Sequence, residues 1–304
     1  GKPWSAGVNR AFAEAGAAQA VAIRELTMAS LAYQVRTALA GYQQFRAEQA
    51  FLDSVSDMTS TALALVNTRR EAGMLTMAEQ VMMEQVIRDL LTMRYTSGTK
   101  LTESLGMLQY LCGDSTLIPD PDLKVRDDHM IPGELRPSAL QIRPSELAVE
   151  MSVRQMDVIR SHRIPDLSLG YFRQSLGGVN GFQGVRAGIS IPILHSGTSV
   201  MLEQQELQQQ NLQWQVQQDQ HQLEMQIRQL SETRMLTKEL LSSWPEDPLA
   251  MYSSSIAELQ NRFYDGQIDV YQYCQQLTLQ LEAAIAWIGL ISSYNMQTIQ
   301  LSFL

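Results

Sequence analysis

Residues Arg163–Gly197 read RIPDLSLGYFRQSLGGVNGFQGVRAGISIPILHSG. Apolar residues take every second position in the later part of this stretch, namely Val185, Ala187, Ile189, Ile191 and Ile193. Leu167, Leu169 and Tyr171 alternate with small residues in the same way. Because successive side chains of a β-strand point to opposite faces, this period of two predicts two strands, joined into a β-hairpin by residues 176–181.

The two arms of this hairpin allow two interpretations. Each arm is about ten residues long, the length of a transmembrane β-strand in which lipid-facing and lumen-facing side chains alternate. A hairpin of the same pattern also occurs in soluble proteins, where its apolar face packs on helices. In the membrane interpretation, the lipid-facing positions are Val185, Ala187, Ile189 and Ile191.

The composition argues against nucleic-acid binding and against a membrane-spanning helix. Among the 304 residues, 32 acidic against 23 basic side chains give a net charge of −9, which argues against nucleic acid as a partner. The longest apolar run, Ala283–Ile291, is shorter than the ~18 residues of a membrane-spanning helix, so no such helix is predicted.

No catalytic, cofactor or metal site is predicted. Cys112 and Cys274 are too few for a zinc site or a disulfide framework, and a disulfide between them is not expected. Asp127 and Asp128 lie beside a histidine, but in a Pro/Asp-rich segment they are interpreted as solvated. The sixteen methionines are interpreted as packing residues, although thioethers also bind soft metals such as copper. The four histidines are isolated: His129, His162, His195 and His221.

Most of the remaining chain is predicted to be helical. Because proline breaks the interior of a helix, long proline-free stretches rich in Ala, Gln, Glu, Leu and Met predict long helices. The first covers roughly Ser5–Asn67, and a helix of ~60 residues would be a rod ~90 Å long. A narrow apolar stripe after Gly197 indicates coiled-coil-like packing. The WPEDP sequence at 244–248 interrupts this second helical stretch.

A short motif occurs twice, 193 residues apart. Arg69–Gly73 and Arg262–Gly266 both read R-x-x-x-G, and Thr76 or Asp269 follows three residues later. A glycine just beyond a helix, followed by a residue that caps the next helix, is typical of a tight turn between helices. The sequence therefore predicts two long helical hairpins that arose by duplication. Such a turn favours glycine whether or not a partner binds there.

These elements divide the chain into five segments, and the predicted fold class is mainly α. The segments are a first long helical hairpin (1–112), a Pro/Asp-rich segment (113–143), a shorter helix opened by Pro144 (144–163), the β-hairpin (164–195) and a second long helical hairpin (196–304).

The order of these elements resembles that of the TolC family of outer-membrane efflux proteins. The similar stretches are RPSELAVE from Arg143, IPDLSLGY from Ile164, ISIPILHSG from Ile189 and the two R-x-x-x-G turns. The resemblance covers nearly the whole chain. It implies a TolC-like fold, in which long antiparallel helical hairpins form part of a coiled-coil-like α-barrel and one β-hairpin contributes to a membrane β-barrel.

The resemblance also implies a function and partners. Members are homotrimers in the outer membrane with a periplasmic extension. They act without a cofactor as passive exit ducts of tripartite efflux or type I secretion systems, for drugs, metals or other substrates. They contact outer-membrane lipid, a periplasmic adaptor protein and, indirectly, an inner-membrane transporter. The adaptor-contact tip would comprise Arg69, Gly73, Met74, Leu75, Arg262, Gly266, Gln267 and Ile268.

Two features depart from the family pattern. In the family, a helix and a first strand pair precede the position at which this sequence begins, so one of two strand pairs is expected here. Some members narrow the tunnel mouth with acidic residues beyond the second tip glycine. The corresponding positions are Gln272 and Gln275, which predicts no carboxylate ring. The alternative interpretation is a soluble periplasmic coiled-coil scaffold or interaction protein.

Overall fold

The computed structural model describes residues 3–125, 137–176, 179–191 and 196–304. Those ranges contain mostly helix with a single two-stranded antiparallel sheet, so the predicted fold class is confirmed. The elements in chain order are α1 Pro3–Glu71, α2 Met77–Cys112, α3 Pro137–Ser161, β1 Asp166–Leu176, β2 Val179–Ser190, α4 Ser196–Ser242, α5 Pro248–Tyr264 and α6 Val270–Phe303.

The predicted interruption of the second helical stretch is confirmed between α4 and α5. The carboxylate of Asp247 caps α5 by accepting a hydrogen bond from the Ala250 N–H group at 3.1 Å. Pro248 then occupies the first turn, where its missing N–H group would have had no partner in the helix. One proline-flanked segment therefore ends one helix and starts the next.

The start of α3 differs from the prediction. This helix begins at Pro137, and Pro144 lies inside it rather than opening it. Proline in a helix interior removes one backbone hydrogen bond, here the one to the carbonyl of Leu140. Ile142 on the added segment is buried, and burial of this apolar side chain offsets the lost bond. Of the predicted Pro/Asp-rich segment, residues 126–136 lie outside the described residues, including Asp127, Asp128 and His129.

The chain forms two compact units. One comprises described parts of Gly1–Ala29 and Pro132–Gln226 with Leu304, and the other comprises Ser30–Ile131 and Ile227–Phe303. In the first unit, the amide of Gln205 on α4 donates a buried hydrogen bond to the hydroxyl of Ser152 on α3 at 2.9 Å. A buried pair of polar side chains thus joins α3 to α4.

The second unit has the main hydrophobic core. Buried side chains of α1, α2, α5 and α6 form this core, among them Leu52, Val55, Val66, Met83, Leu90, Ile256, Phe263, Tyr273, Leu277 and Leu281. The aromatic rings of Phe263 and Tyr273 stack with centroids 4.7 Å apart, which joins the end of α5 to the start of α6.

Helix α6 is long and apolar enough, by length and composition, to cross a membrane. The sequence prediction of no such helix considered only unbroken apolar runs, which do not detect apolar residues spaced by polar ones. A core helix satisfies the same criterion. Tyr273, Leu277 and Ile288 are fully buried in α6, as expected of a core helix.

Candidate functional site

The two predicted turns have the same backbone conformation. Gly73 and Gly266 both have φ +71°, which is the left-handed region. The Gly73 N–H group donates to the Arg70 carbonyl at 2.8 Å, and the Gly266 N–H group donates to the Phe263 carbonyl at 3.2 Å. A second bond in each turn spans five residues, from Met74 to the Arg69 carbonyl and from Gln267 to the Arg262 carbonyl. Both turns are therefore Schellman motifs.

Thr76 and Asp269 cap the helices that follow the two turns, as predicted, and in both caps the hydrogen bonds are reciprocal. The Glu79 N–H group donates to the Thr76 hydroxyl at 3.3 Å, and the Thr76 N–H group donates to the Glu79 carboxylate at 2.7 Å. In the second turn, the Gln272 N–H group donates to the Asp269 carboxylate at 2.7 Å, and the Asp269 N–H group donates back to the Gln272 side chain at 3.4 Å. Gln272 therefore has a local capping role.

The charge of the first cap is stabilised by its hydrogen bonds. The Thr76 hydroxyl donates to the Glu79 carboxylate at 2.7 Å, and the Thr76 N–H group adds a second bond. These two bonds, the hydroxyl first, hold the pKa of Glu79 below its ordinary value. In the second cap, the position of Glu79 is occupied by Gln272, which carries no charge.

Arg69 connects the two turns. Its guanidinium donates to the backbone carbonyl of Tyr264 at 3.0 Å and to that of Phe263 at 3.4 Å. The guanidinium carbon also lies 5.2 Å from the centroid of the Phe263 ring, within the range of a cation–π contact. The carbonyls at a helix end lack partners within the helix, and an arginine satisfies them well.

The eight predicted tip residues differ in exposure. Met74 is 74% exposed, and Gly73, Arg262, Gly266 and Gln267 are exposed as well. By contrast, Ile268 is 6% exposed, and Leu75 is half-buried against the hydrophobic core. The last two side chains hold the turns to the core, so they present little surface to a partner.

Beyond the second turn, α6 has an exposed and a buried face. Gln272 and Gln275, one helical turn apart, are exposed, whereas Tyr273 and Cys274 between them are buried. The Cys274 thiol donates to the Met83 thioether at 3.7 Å, and burial raises its pKa to about 11. Cys112 is exposed, and both cysteines are free.

The β-hairpin has one apolar face. The strands pair directly across at Leu167 with Ile189, Leu169 with Ala187, and Tyr171 with Val185, so these six side chains share one face. They remain exposed, with Leu169 at 83% and Val185 at 76%. A soluble hairpin packed on helices would cover this face. The opposite face carries mostly small and charged residues, namely Ser168, Gly170, Arg186 and Gly188, together with Phe172, whose ring lies beside Gly184.

The strand boundaries differ from the prediction in two places. β2 begins at Val179, inside the predicted connection, and a register shift between Gln174 and Ser175 accommodates this extra pairing. β2 ends at Ser190, so Ile191, predicted to face lipid, lies one residue beyond the strand and is exposed. Ile193 and His195 lie outside the described residues.

No cluster of three or more His, Cys, Asp or Glu side chains is placed to hold a metal ion within residues 3–125, 137–176, 179–191 and 196–304. His162 and His221 are described and lie outside any such cluster.

No protein-family model and no curated protein matches the sequence. Solved structures match it over almost its full length. A membrane protein from Pseudomonas aeruginosa has 15% identity and a TM-score of 0.80, with 98% of this chain and 73% of that chain covered. The outer membrane protein VceC from Vibrio cholerae has 15% identity and a TM-score of 0.75, with 98% and 75% covered. The open-state outer membrane channel MtrE from Neisseria gonorrhoeae has 16% identity and a TM-score of 0.72, with 97% and 71% covered.

This chain has the fold of the TolC-family outer-membrane channels. The TolC-like resemblance inferred from the sequence motifs is thereby confirmed for the fold. The structures that share the TolC-like fold are channel proteins rather than enzymes.

Sequence reasoning missed one functional contact, the bridge made by Arg69. The available signal was the arginine of the R-x-x-x-G motif. An arginine in the last turn of a helix is suited to backbone carbonyls at helix ends. The sequence alone did not show that those carbonyls belong to another helix, because Arg69 and Tyr264 are 195 residues apart.

Proposed function

We propose that this chain is a subunit of a homotrimeric exit duct in the outer membrane of a Gram-negative cell envelope, with a periplasmic extension. The supporting observation is the structural match with outer-membrane channels, which covers 96–98% of the chain and so extends over both helical turns and the hairpin. The duct is passive, and it serves an efflux or type I secretion system that exports drugs, metals or other substrates.

The hairpin supports a membrane location. A two-stranded hairpin is marginally stable in water by itself, and this one has an exposed apolar face and two unpaired edges. In a bilayer, backbone groups are satisfied only when strands close into a barrel. Hairpins from several subunits, with further strands, would pair these edges and place Leu169, Val185 and Ile189 against lipid.

The helices support association between copies. Many large apolar side chains of α1, α2 and α4 are exposed in the single chain, including Met28, Leu31, Leu91, Tyr95, Met107, Trp214, Met235 and Leu236. Exposed apolar surface of this kind marks interaction sites. Three copies related by a closed rotation would cover these side chains with one another.

The turns are proposed to contact a periplasmic adaptor protein, which connects the duct to an inner-membrane transporter. Met74 and Gln267 are exposed beyond the helix ends, and Gly73 and Gly266 leave open space at the position of a side chain. Gln272 and Gln275 are proposed to line the tunnel mouth without a ring of carboxylates.

Reconstitution tests the duct directly. The chain purified in detergent should have the mass of a trimer by light scattering, and in planar lipid bilayers it should give stepwise ion conductance. The matched control is Leu169→Arg, which places a charge on the apolar face and should reduce insertion and conductance. A monodisperse monomer that stays in solution without detergent and gives no conductance would instead support the scaffold interpretation.

A further inference from the structure

The two arginines of the repeated motif are used differently. Arg69 is half-buried and donates to the carbonyls at the end of α5. Arg262, its counterpart 193 residues later, is exposed, and among the described residues it makes no hydrogen bond or ion pair. The Arg69 guanidinium thus has hydrogen-bond acceptors within the chain, whereas the equivalent Arg262 guanidinium has none among the described residues.

The acceptor that would suit Arg262 exists in the same chain. The shift of 193 residues that relates Arg262 to Arg69 also relates Phe263 and Tyr264 to Arg70 and Glu71. The two turns are equivalent in their hydrogen bonds and in the φ value of their glycines. The end of α1 therefore presents its last carbonyls in the same arrangement as the end of α5.

Within the single chain, Arg69 reaches the carbonyls at the end of α5, whereas Arg262 makes no hydrogen bond to the end of α1 among the described residues. A second copy of the chain has the same carbonyls at the end of its own α1. In a closed ring of subunits, the ends of α1 and α5 alternate. The end of α5 therefore lies between the end of α1 in its own subunit and the end of α1 in the next subunit.

We propose that the Arg262 guanidinium donates to the backbone carbonyls of Arg70 and Glu71 in a second copy of this chain. This proposal rests on the homotrimer of the proposed function. A closed trimer then has an arginine contact wherever an end of α1 meets an end of α5. Arg69 makes the half of these contacts that lie within subunits, and Arg262 makes the half that lie between subunits.

The contact between subunits is the weaker of the two kinds. Phe263, which faces the Arg69 guanidinium, corresponds to Arg70, so the cation–π contact is replaced by a like charge. Glu71, which corresponds to Tyr264, adds a carboxylate of opposite charge beside the carbonyls. Because these charges are exposed, the contact between subunits weakens as salt is added.

Thiol cross-linking tests the pairing. In a Cys112→Ser background, Arg262→Cys is combined with Glu71→Cys, and the trimer in detergent is treated with a short bifunctional thiol reagent. Cys274 stays unreactive because it is buried. The expected products on a denaturing gel are covalent dimers and trimers. The matched control, Arg69→Cys with Tyr264→Cys, should give a cross-linked monomer, since that contact lies within one chain.

Each outcome of the cross-linking has a distinct meaning. If light scattering shows a trimer but the first pair yields only monomers, the proposed contact is wrong and the duct stands. If the chain forms no trimer, both proposals fail. Cross-linking of position 262 to an added adaptor protein, in place of a second copy, also overturns the contact.

Subunit exchange gives a second measurement that needs no cysteine. Arg262→Ala should speed exchange between labelled trimers about tenfold, because hydrogen bonds from a charged donor are lost. Arg70→Ala is the matched control, since it keeps the carbonyl, removes a like charge and should leave exchange unchanged or slower. Equal exchange rates for Arg262→Ala and the unmodified chain would contradict the proposal.

Discussion

Gly73 and Gly266 show how a single residue determines the path of a helical hairpin. At φ +71°, a side chain is strained whatever space surrounds it, and nothing lies within 4 Å of a Cβ built at either position. The requirement for glycine at both turns is therefore conformational rather than steric. Left-handed backbone costs an L-residue roughly 1–2 kcal/mol.

Gly73→Ala should accordingly lower the stability of the unit that contains both turns by about 1 kcal/mol. Gly106 provides a matched control, because it lies inside α2 with nothing within 4 Å of a Cβ. Gly106→Ala should raise stability by about 0.5–1 kcal/mol, since alanine favours a helix interior. Denaturant unfolding followed by circular dichroism measures both, and shifts of the same sign would contradict the conformational explanation.

At the scale of an element, the start of α2 is sensitive to pH. The folded-state pKa of Glu79 is lowered, so the carboxylate stabilises the cap at pH above its ordinary value of 4.5. This contribution is lost as the pH falls through the lowered value. We expect the backbone amides of the first turn of α2 to exchange hydrogen faster as the pH is taken below about 4.5, relative to the intrinsic rate.

A Glu79→Gln variant provides the control for this pH effect. Because Gln272 takes the same position in the second cap without a charge, Glu79→Gln should keep the cap at neutral pH and remove the contribution of this carboxylate to its pH dependence. If the amides at the start of α2 exchange with the same pH profile in Glu79→Gln and in the unmodified chain, the Glu79 carboxylate is not the cause.

A charge introduced into the hairpin should destabilise the protein only when it lies on the apolar face. Leu169→Arg lies on the apolar face and should destabilise the folded protein in bilayers by about 1–4 kcal/mol, depending on its depth. Ser168→Arg lies on the opposite face and removes only a hydrogen bond of 3.3 Å to the Gly188 carbonyl. Urea unfolding in lipid vesicles compares the two, and equal destabilisation would contradict a lipid-facing role for Leu169.

Local patterns in the sequence predicted most of these elements. The period of two predicted the hairpin, and R-x-x-x-G with a following cap predicted both turns, because each depends on residues that are close in the chain. Pro144 misled the prediction because tertiary packing, which includes the burial of Ile142, acts against the local preference of proline to interrupt a helix. The Arg69 bridge was missed for a related reason, since its acceptors are distant in sequence.

At the scale of the whole molecule, the proposed duct depends on contacts that one chain does not supply. The apolar face of the hairpin, the apolar side chains on the helices and the Arg262 side chain are all exposed in the single copy. The sequence predicted lipid contact and trimer formation only through resemblance, because periodicity identifies an apolar face without identifying what covers it. Assembly therefore has to be tested by variants that leave each subunit folded.

Met74 is suited to such a test of adaptor binding. It is 74% exposed in the first turn, and no positive φ constrains this position. Met74→Glu should weaken binding of the adaptor about tenfold, because burying the thioether side chain contributes roughly 1.5–3 kcal/mol. Trimer mass and bilayer conductance should stay unchanged. Tyr110→Ser, at an exposed site near the other end of α2, is the control and should bind the adaptor normally. An unchanged affinity for Met74→Glu, measured by titration with purified adaptor, would remove Met74 from the proposed contact.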